Sequence, residues 1–323
     1  MKTTNSTPFA PPGTDQSFVP ESQNLQKLCH SLFLRLHAAK SIISLFVALS
    51  ALTGYVVKAG RLDIVALNVF SGILLLAAGS ATLNNLQDRK LDRRFTRTSG
   101  RPLACGTLTV AQGKRQSVYL MAAGCLLLYL SPNGLFLVLL GLFAVACYNL
   151  LYTPFKMRTL WAVIPGVICG MIPPLVGWTA AGGHLGSQRI WLIMILLGLW
   201  QPPHAWMILL ANADEVRASY SKNLLHLFST AQVCRIVFAW VCSFMALLVL
   251  LPLFGILHHS FFSISLVLAG VLTIGCYGWG LFISRTRRNY RHLFILLNSV
   301  LALAMVYCIL ANSIATTIYS STP

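Results

Sequence analysis

The stretch IVALNVFSGILLLAAGSATLNNLQDRKLDRR, residues 64–94, decides how this chain is read. Its first two-thirds are about twenty apolar or small residues, enough for a helix to cross the hydrocarbon of a bilayer. Its last third is dense in charge. Runs of the first kind recur along the chain. We count nine, at roughly 41–59, 63–84, 116–131, 134–152, 159–181, 190–212, 234–257, 261–283 and 293–314, the third being short. None alternates polar and apolar residues as membrane barrel strands do. The expected fold class is all-α, a polytopic membrane protein with nine transmembrane helices.

Composition excludes the other classes. Of the 323 residues 56% are hydrophobic and 10% charged. A soluble domain is about one-quarter charged, and a disordered chain lacks such apolar content. The nine Cys are scattered without a CxxC pair, which reads as structural residues buried in spans. The net charge of +17, from 24 Lys and Arg against 7 Asp and Glu, would suggest nucleic acid in a soluble protein. Here its placement gives another answer. With nine spans, 21 of the basic residues fall on one side, and only Lys58, Arg61 and Arg189 on the other. That is the positive-inside pattern, with the N-terminus cytoplasmic, the lipid bilayer as surroundings and no nucleic acid partner. Residues 1–38, rich in Ser, Thr, Pro, Gln and Asn, are expected to be a disordered cytoplasmic tail. Residues 39–316 form the nine-helix domain and 317–323 a short outer-side tail. The start shows no signal-peptide pattern, and its few Arg argue against a mitochondrial transit peptide.

With seven acids, position is informative. Four of them fall in two places on the basic side: Asp88 and Asp92 after the second span, and Asp214 and Glu215 after the sixth. If the second helix continues, Asn84, Asp88 and Asp92 stand at i, i+4 and i+8, on one face and one turn apart. Like charges so placed repel. A divalent cation reverses that, and Mg²⁺ prefers one or two carboxylates together with substrate phosphates. Arg89, Lys90, Arg93, Arg94, Arg97 and Arg101 would suit a phosphate-bearing ligand. An isolated DxxxD is commonly a solvated helix end whose Asp pairs with a nearby Arg, as Arg89 with Asp92. Abutting a span and facing a second acidic pair, it reads as a ligand site. Two acidic clusters below one bundle suit a diphosphate clamped through Mg²⁺, which would stabilise charge on the leaving group.

The sixth span holds Trp200-Gln201-Pro202-Pro203-His204-Ala205-Trp206, and the fifth holds Ile172-Pro173-Pro174 followed by Gly177-Trp178. The prolines are expected to break both helices, and broken helices line cavities. His204 is then an ionisable group at membrane depth between two Trp. A core histidine satisfied by a hydrogen bond and a functional one are both consistent with that. Lys156 and Arg158, in the loop after Tyr152-Thr153-Pro154, set topology or meet the same anion. Arg217, Tyr220 and Lys222 follow the second acidic pair.

The pattern Asn84-Asn85-x-x-Asp88-x-x-x-Asp92, continuing to Arg97-Thr98-x-x-Arg101-Pro102 and Gly106, resembles the first signature of the UbiA-type intramembrane prenyltransferases. With Tyr152-Thr153-Pro154-Phe155-Lys156 and the two Pro-Pro motifs it is similar to their branch acting on protohaem IX, over roughly residues 40–310. The resemblance implies nine helices around a central cavity. It implies Asp88, Asp92 and Asn84 as catalytic groups, with Mg²⁺ on Asp88, Asp92, Asp214 and Glu215. It implies Arg97, Arg101 and Lys156 at the diphosphate, His204 near haem B, and Asn85, Arg158, Trp200, Trp206 and Lys222 as further substrate-binding residues. Lys40 takes the place of a lysine that the branch carries before its first span, while the Tyr and Pro usual after the second acidic motif are absent here. The implied reaction is farnesyl transfer from farnesyl diphosphate to a vinyl group of haem B, giving haem O. Haem A synthase and oxidase assembly factors are the implied partners, and the bacterial cytoplasmic membrane is the implied location. The alternatives are a quinone or chlorin acceptor, against which the Pro-Pro motifs and His204 speak, and a transporter, against which the apolar midplane speaks.

Overall fold

The computed structural model describes residues 21–218, 223–257 and 259–320, and among these every regular element is helical. Ten long helices carry the fold: α1 (Glu21–Ala38), α2 (Ser41–Ala59), α3 (Ile64–Asp92), α4 (Val110–Tyr129), α5 (Gly134–Ala146), α6 (Val163–Ala180), α7 (Gln188–Ala211), α8 (Thr230–Leu250), α9 (Ser260–Gly278) and α10 (Arg287–Ser320). Eight helical segments among the described residues are long and apolar enough to cross a membrane. The ninth expected span corresponds to α4. It begins six residues before the expected boundary, because Thr109 and Gln112 form a reciprocal capping box that starts the helix ahead of its apolar part. Its first turns carry Gln112, Lys114 and Arg115, so composition alone does not qualify it.

The tail expected to be disordered from 1 to 38 is helical over 21–38. Its second half carries Leu25, Leu28, Leu32 and Leu36 at helical spacing, a signal diluted by averaging with the Pro-rich first half. Residues 1–20 lie outside the described residues. At the other end α10 runs to Ser320, so the expected outer tail starts as helix, and 321–323 lie outside the described residues. The Cys expectation holds for Cys147, Cys234 and Cys308, whereas Cys29, Cys105 and Cys276 are exposed.

Two buried clusters hold the bundle. The larger unites α7, α8, α9 and α10 around Phe244, Tyr277 and Leu297. The other unites α2, α3 and α6 with Leu128 of α4 and Leu137 of α5. Burial of apolar area does not by itself bind helices in lipid, so close backbone approach and interhelical hydrogen bonds carry more weight. A Cβ on Gly124 of α4 would lie 2.7 Å from both the Gly72 carbonyl and the Leu76 nitrogen of α3. On Gly177 of α6 it would lie 1.8 Å from the Ala51 carbonyl of α2. Along the α3–α4 seam Ser117 Oγ donates to the Gly79 carbonyl at 2.9 Å.

The Pro-Pro pairs lie inside helices that stay continuous, and all four prolines are buried. Beside them Gln201 Nε2 of α7 donates to the Val167 carbonyl of α6 at 3.1 Å, the kind of neighbour contact that lets a membrane helix carry proline without ending.

Gly124→Ala and Gly177→Ala are expected to lower stability by about 1–3 kcal/mol each, read as thermal unfolding in detergent. Gly275→Ala, whose added methyl meets open space, is expected to leave it unchanged.

Candidate active site

The helix that begins as an apolar span does continue, from Ile64 to Asp92. Asn84, Asn85, Asp88 and Asp92 are all buried at its charged end. Asp88 and Asp92 are 6% exposed each, so water does little to hold their charge, and protein cations do it instead. Lys156 pairs with Asp88 Oδ2. One guanidinium nitrogen of Arg101, Nη1, sits 2.9 Å from both oxygens of Asp92. Arg89, the partner proposed from spacing, instead donates to the Leu86 carbonyl at 2.8 Å.

Asn84 joins the pieces. Its amide donates to Asp88 Oδ2 at 3.0 Å and to Thr153 Oγ1 at 2.9 Å, and its Oδ1 accepts from Lys40 Nζ at 2.6 Å. Lys40 lies between α1 and α2 with φ of 48°, one of two non-glycine residues with positive φ among the described residues. That backbone is costly for a lysine, and it turns the ammonium onto Asn84. Burial pushes Lys40 down to about 7, and the cations Arg101 and Lys156 add to the effect. Asn85 fixes the junction from the other side, donating to the Ala38 carbonyl at 2.7 Å.

Two local devices present the cations. After α5 the chain takes a π-helical turn, Cys147–Tyr152. There buried Asn149 donates to the Ser80 carbonyl at 3.1 Å and to Gln87 Oε1 at 3.2 Å, and its own carbonyl accepts from Gln87 Nε2 at 3.0 Å. This network locks the turn to α3 and so delivers Thr153 and Lys156 to Asn84 and Asp88. Such π-turns are frequent at functional sites. The second device is the loop 93–101. Thr98 Oγ1 donates to the Asp92 carbonyl at 3.0 Å, and Pro102–Cys105 forms a short helix behind Arg101.

The other expected residues divide. Glu215 comes to the same end, where its Oε1 accepts from the Thr96 backbone at 2.6 Å, tying the segment after α7 to the loop after α3. Asp214, Arg97 and Arg158 are exposed, Arg97 within electrostatic reach of Asp92 and Glu215. Lys222 lies outside the described residues, as does Tyr220. Among the described residues no three His, Cys, Asp or Glu side chains gather into one cluster of metal-binding size. Asn84, Asp88 and Asp92 are oxygen-bearing side chains that one helix buries at successive turns. Two carboxylates among the basic groups Lys40, Lys156 and Arg101 match the chemistry of a Mg²⁺–diphosphate pair, in which the metal takes few protein ligands and the phosphates take the basic groups.

Deeper in the bundle His204 lies between two rings, 4.5 Å from that of Trp200 and 4.7 Å from that of Phe294 in α10. Trp200 also stacks on Phe46 of α2 at 5.7 Å. Its Nε1–H is buried and has no acceptor among the described residues. His204 Nδ1 lies 2.9 Å from Asn298 Oδ1. Trp206, two residues on, points elsewhere and meets Trp240 edge-on at 5.9 Å, because i and i+2 share no helix face. Sequence reasoning quoted Thr153 within a motif without giving it a role, and it missed Asn149, Phe294 and Asn298. Each is a neutral residue in an apolar run, and only its partner on another helix marks it.

Comparison with known proteins bears on this arrangement. Residues 44–300 match the UbiA prenyltransferase family. The chain belongs to that family. It is therefore a membrane prenyltransferase by descent. Among its relatives is a protoheme IX farnesyltransferase of Oleidesulfovibrio alaskensis, 34% identical over 251 residues that cover 76% of this chain and 87% of that one. Another of the same name, from Geobacter sulfurreducens, is 38% identical over 192 residues, 58% of this chain and 68% of that one. Solved UbiA homologues share the fold. One from Aeropyrum pernix K1 has a TM-score of 0.61 at 19% identity, covering 82% of this chain and 98% of that one. One from Archaeoglobus fulgidus, bound to GPP and Mg²⁺, has a TM-score of 0.62 at 14% identity, covering 87% and 99%.

Arg101→Ala is expected to destabilise the fold by about 1–3 kcal/mol, because it strands a buried carboxylate. Adding Asp92→Asn to that variant is expected to recover most of the loss, and thermal unfolding of the four proteins of the cycle measures it.

Proposed function

We propose that this chain transfers the farnesyl group of farnesyl diphosphate to a vinyl group of haem B, giving haem O and diphosphate. The observation that carries the reading is the buried pair Asp88 and Asp92 held among Lys40, Lys156 and Arg101. About 8 Å of helix rise along α2, from Ser41 next to Lys40 to Phe46, lies between this polar end and the Trp200–His204–Phe294 cluster. The names of the relatives support the acceptor, and the GPP- and Mg²⁺-bound homologue supports the donor and metal.

Asp88 and Asp92, with Asn84, would hold Mg²⁺, which when bound offsets the negative charge of the diphosphate. Lys40, Lys156 and Arg101 then bind the same anion, with the exposed Arg97 and Arg158 beside them, and Lys222 is proposed as a further diphosphate contact. As the bond from the farnesyl C1 to oxygen breaks, its electron pair leaves with the diphosphate, and these fixed cations meet the charge that develops there. The allylic cation forms away from water, where the faces of Tyr148 and Tyr152, stacked at 5.6 Å beneath the Lys156 loop, favour positive charge. The vinyl π electrons form the new carbon–carbon bond to C1. Water then adds to the cation left on the porphyrin side chain and loses a proton, giving a hydroxyethylfarnesyl group. His204 would face the haem iron, since imidazole is a common axial ligand, and the unpaired Trp200 N–H suits an acceptor on the same substrate.

In this reading Asp214 and Glu215 serve the same site from the segment after α7, Glu215 by holding the loop that carries Arg97 and Arg101. The chain sits in a bacterial cytoplasmic membrane with its basic end and N-terminus inside. Its product passes to haem A synthase or to oxidase assembly.

Asp88→Asn, still expressed and folded, is expected to lower diphosphate release from farnesyl diphosphate in the presence of haem B by about 10²–10³-fold. Release at the rate of the unmodified protein would contradict the role given to Asp88.

A further inference from the structure

We propose that Asn298 is a positioning residue that fixes which ring nitrogen of His204 is free to bind the iron of the acceptor porphyrin. The proposal rests on the reading of His204 as facing haem, and deepens it. Nothing in the sequence near Asn298 points to a site. The residue stands in the apolar run of α10, far along the chain from His204.

The orientation of the Asn298 amide is decided by its own helix. Its Nδ2 donates to the Phe294 carbonyl one turn back, at 2.5 Å. A carbonyl can only accept, so the nitrogen of the amide must point there and Oδ1 must point the other way. That oxygen lies 2.9 Å from His204 Nδ1. An amide oxygen also only accepts, so Nδ1 carries the proton and Nε2 keeps its lone pair. One backbone carbonyl thus propagates through Asn298 into the tautomer of a histidine on another helix. The ring plane is set independently by Trp200 and Phe294, at interplanar angles of 47° and 46°. Iron-ligating histidines hold their second ring nitrogen to an oxygen acceptor of this kind, which orients the ring and raises its basicity. Asn does so without charge, and a charge would be costly at this depth. In a residue needed only for packing, neither the Nδ1–H acceptor nor its fixed direction would be required.

The test titrates haem B into the full-length protein in lipid nanodiscs, reading the Soret band and the iron–imidazole stretch by resonance Raman. His204→Ala is expected to lose the imidazole-ligated spectrum. Asn298→Leu, which removes the acceptor, is expected to bind haem about 10–100-fold more weakly with a weakened or absent stretch. Asn298→Gln, which keeps a neutral amide with an oxygen acceptor, is expected to hold affinity to within a few-fold of the unmodified protein. Farnesyl diphosphate binding without haem is expected to be unchanged in all three, reporting an intact fold. If Leu abolishes that binding as well, Asn298→Ala takes its place in the same comparison. Unmodified haem affinity and spectrum in the Leu variant, beside their loss in His204→Ala, would overturn the role of Asn298 alone. So would equal damage by Leu and Gln, which marks a packing residue. An unchanged spectrum in His204→Ala would instead overturn the reading of His204, and the proposal with it.

Discussion

Two carboxylates one turn apart on the buried face of a single helix cannot both stay ionised without compensation. Asp88 and Asp92 of α3 impose that constraint, and the architecture of the basic end follows from it. The groups that answer it come from three separate stretches of chain: Arg101 in the loop after α3 and Lys156 after the π-turn that ends α5 pair with the carboxylates, and Lys40 ahead of α2 bonds Asn84 beside them. Each needs its own device to arrive: a left-handed backbone at Lys40, a short helix behind Arg101, and the Asn149 network beneath Lys156. Strain at Lys40 and the irregular turn at 147–152 are local costs offset by this shared polar cluster.

The same cluster explains why the surrounding helices come so near. A lysine that reaches Asn84 from the start of α2 requires α2 and α3 to meet at that end, and the Lys156 loop requires α5 and α6 there too. Small residues at Gly124 and Gly177 let backbones touch along the seams. In lipid, where apolar surface alone does not drive helices together, such contacts and the buried hydrogen bonds provide the association. Depth then separates two kinds of chemistry. Ions stay at the helix ends, and the only described ionisable imidazole within the α7 span, His204, is enclosed by rings and a neutral amide.

Much of this was legible in the sequence, for physical reasons that can be named. Length and apolarity mark spans directly, and a face with i, i+4 and i+8 carboxyl and amide groups exists only if the helix runs on through Asp92, as it does. The start of α4 was misjudged because apolarity says where hydrocarbon begins, whereas the Thr109–Gln112 box says where helix begins. The helix over 21–38 was hidden by averaging it with a different segment. Which cation meets which carboxylate was not legible: Arg89 is the obvious helical neighbour of Asp92, yet Arg101 takes it through a loop. Asn149 and Asn298 were invisible for the same reason, since a lone amide in an apolar run acquires meaning only from a partner that folding brings from another helix. Trp206 was grouped with His204 by adjacency, which a helix does not honour at two residues' separation.

The central claim is that the ionic end activates a farnesyl diphosphate for attack by a porphyrin held deeper in the bundle. Its most direct measurement is extraction of the pigments from membranes that express this chain, with the haems identified by mass, beside membranes that do not. Haem O is expected in the first and is expected to be absent from the second. Haem B alone in both, with a prenylated quinone or chlorin appearing in the first, would contradict it.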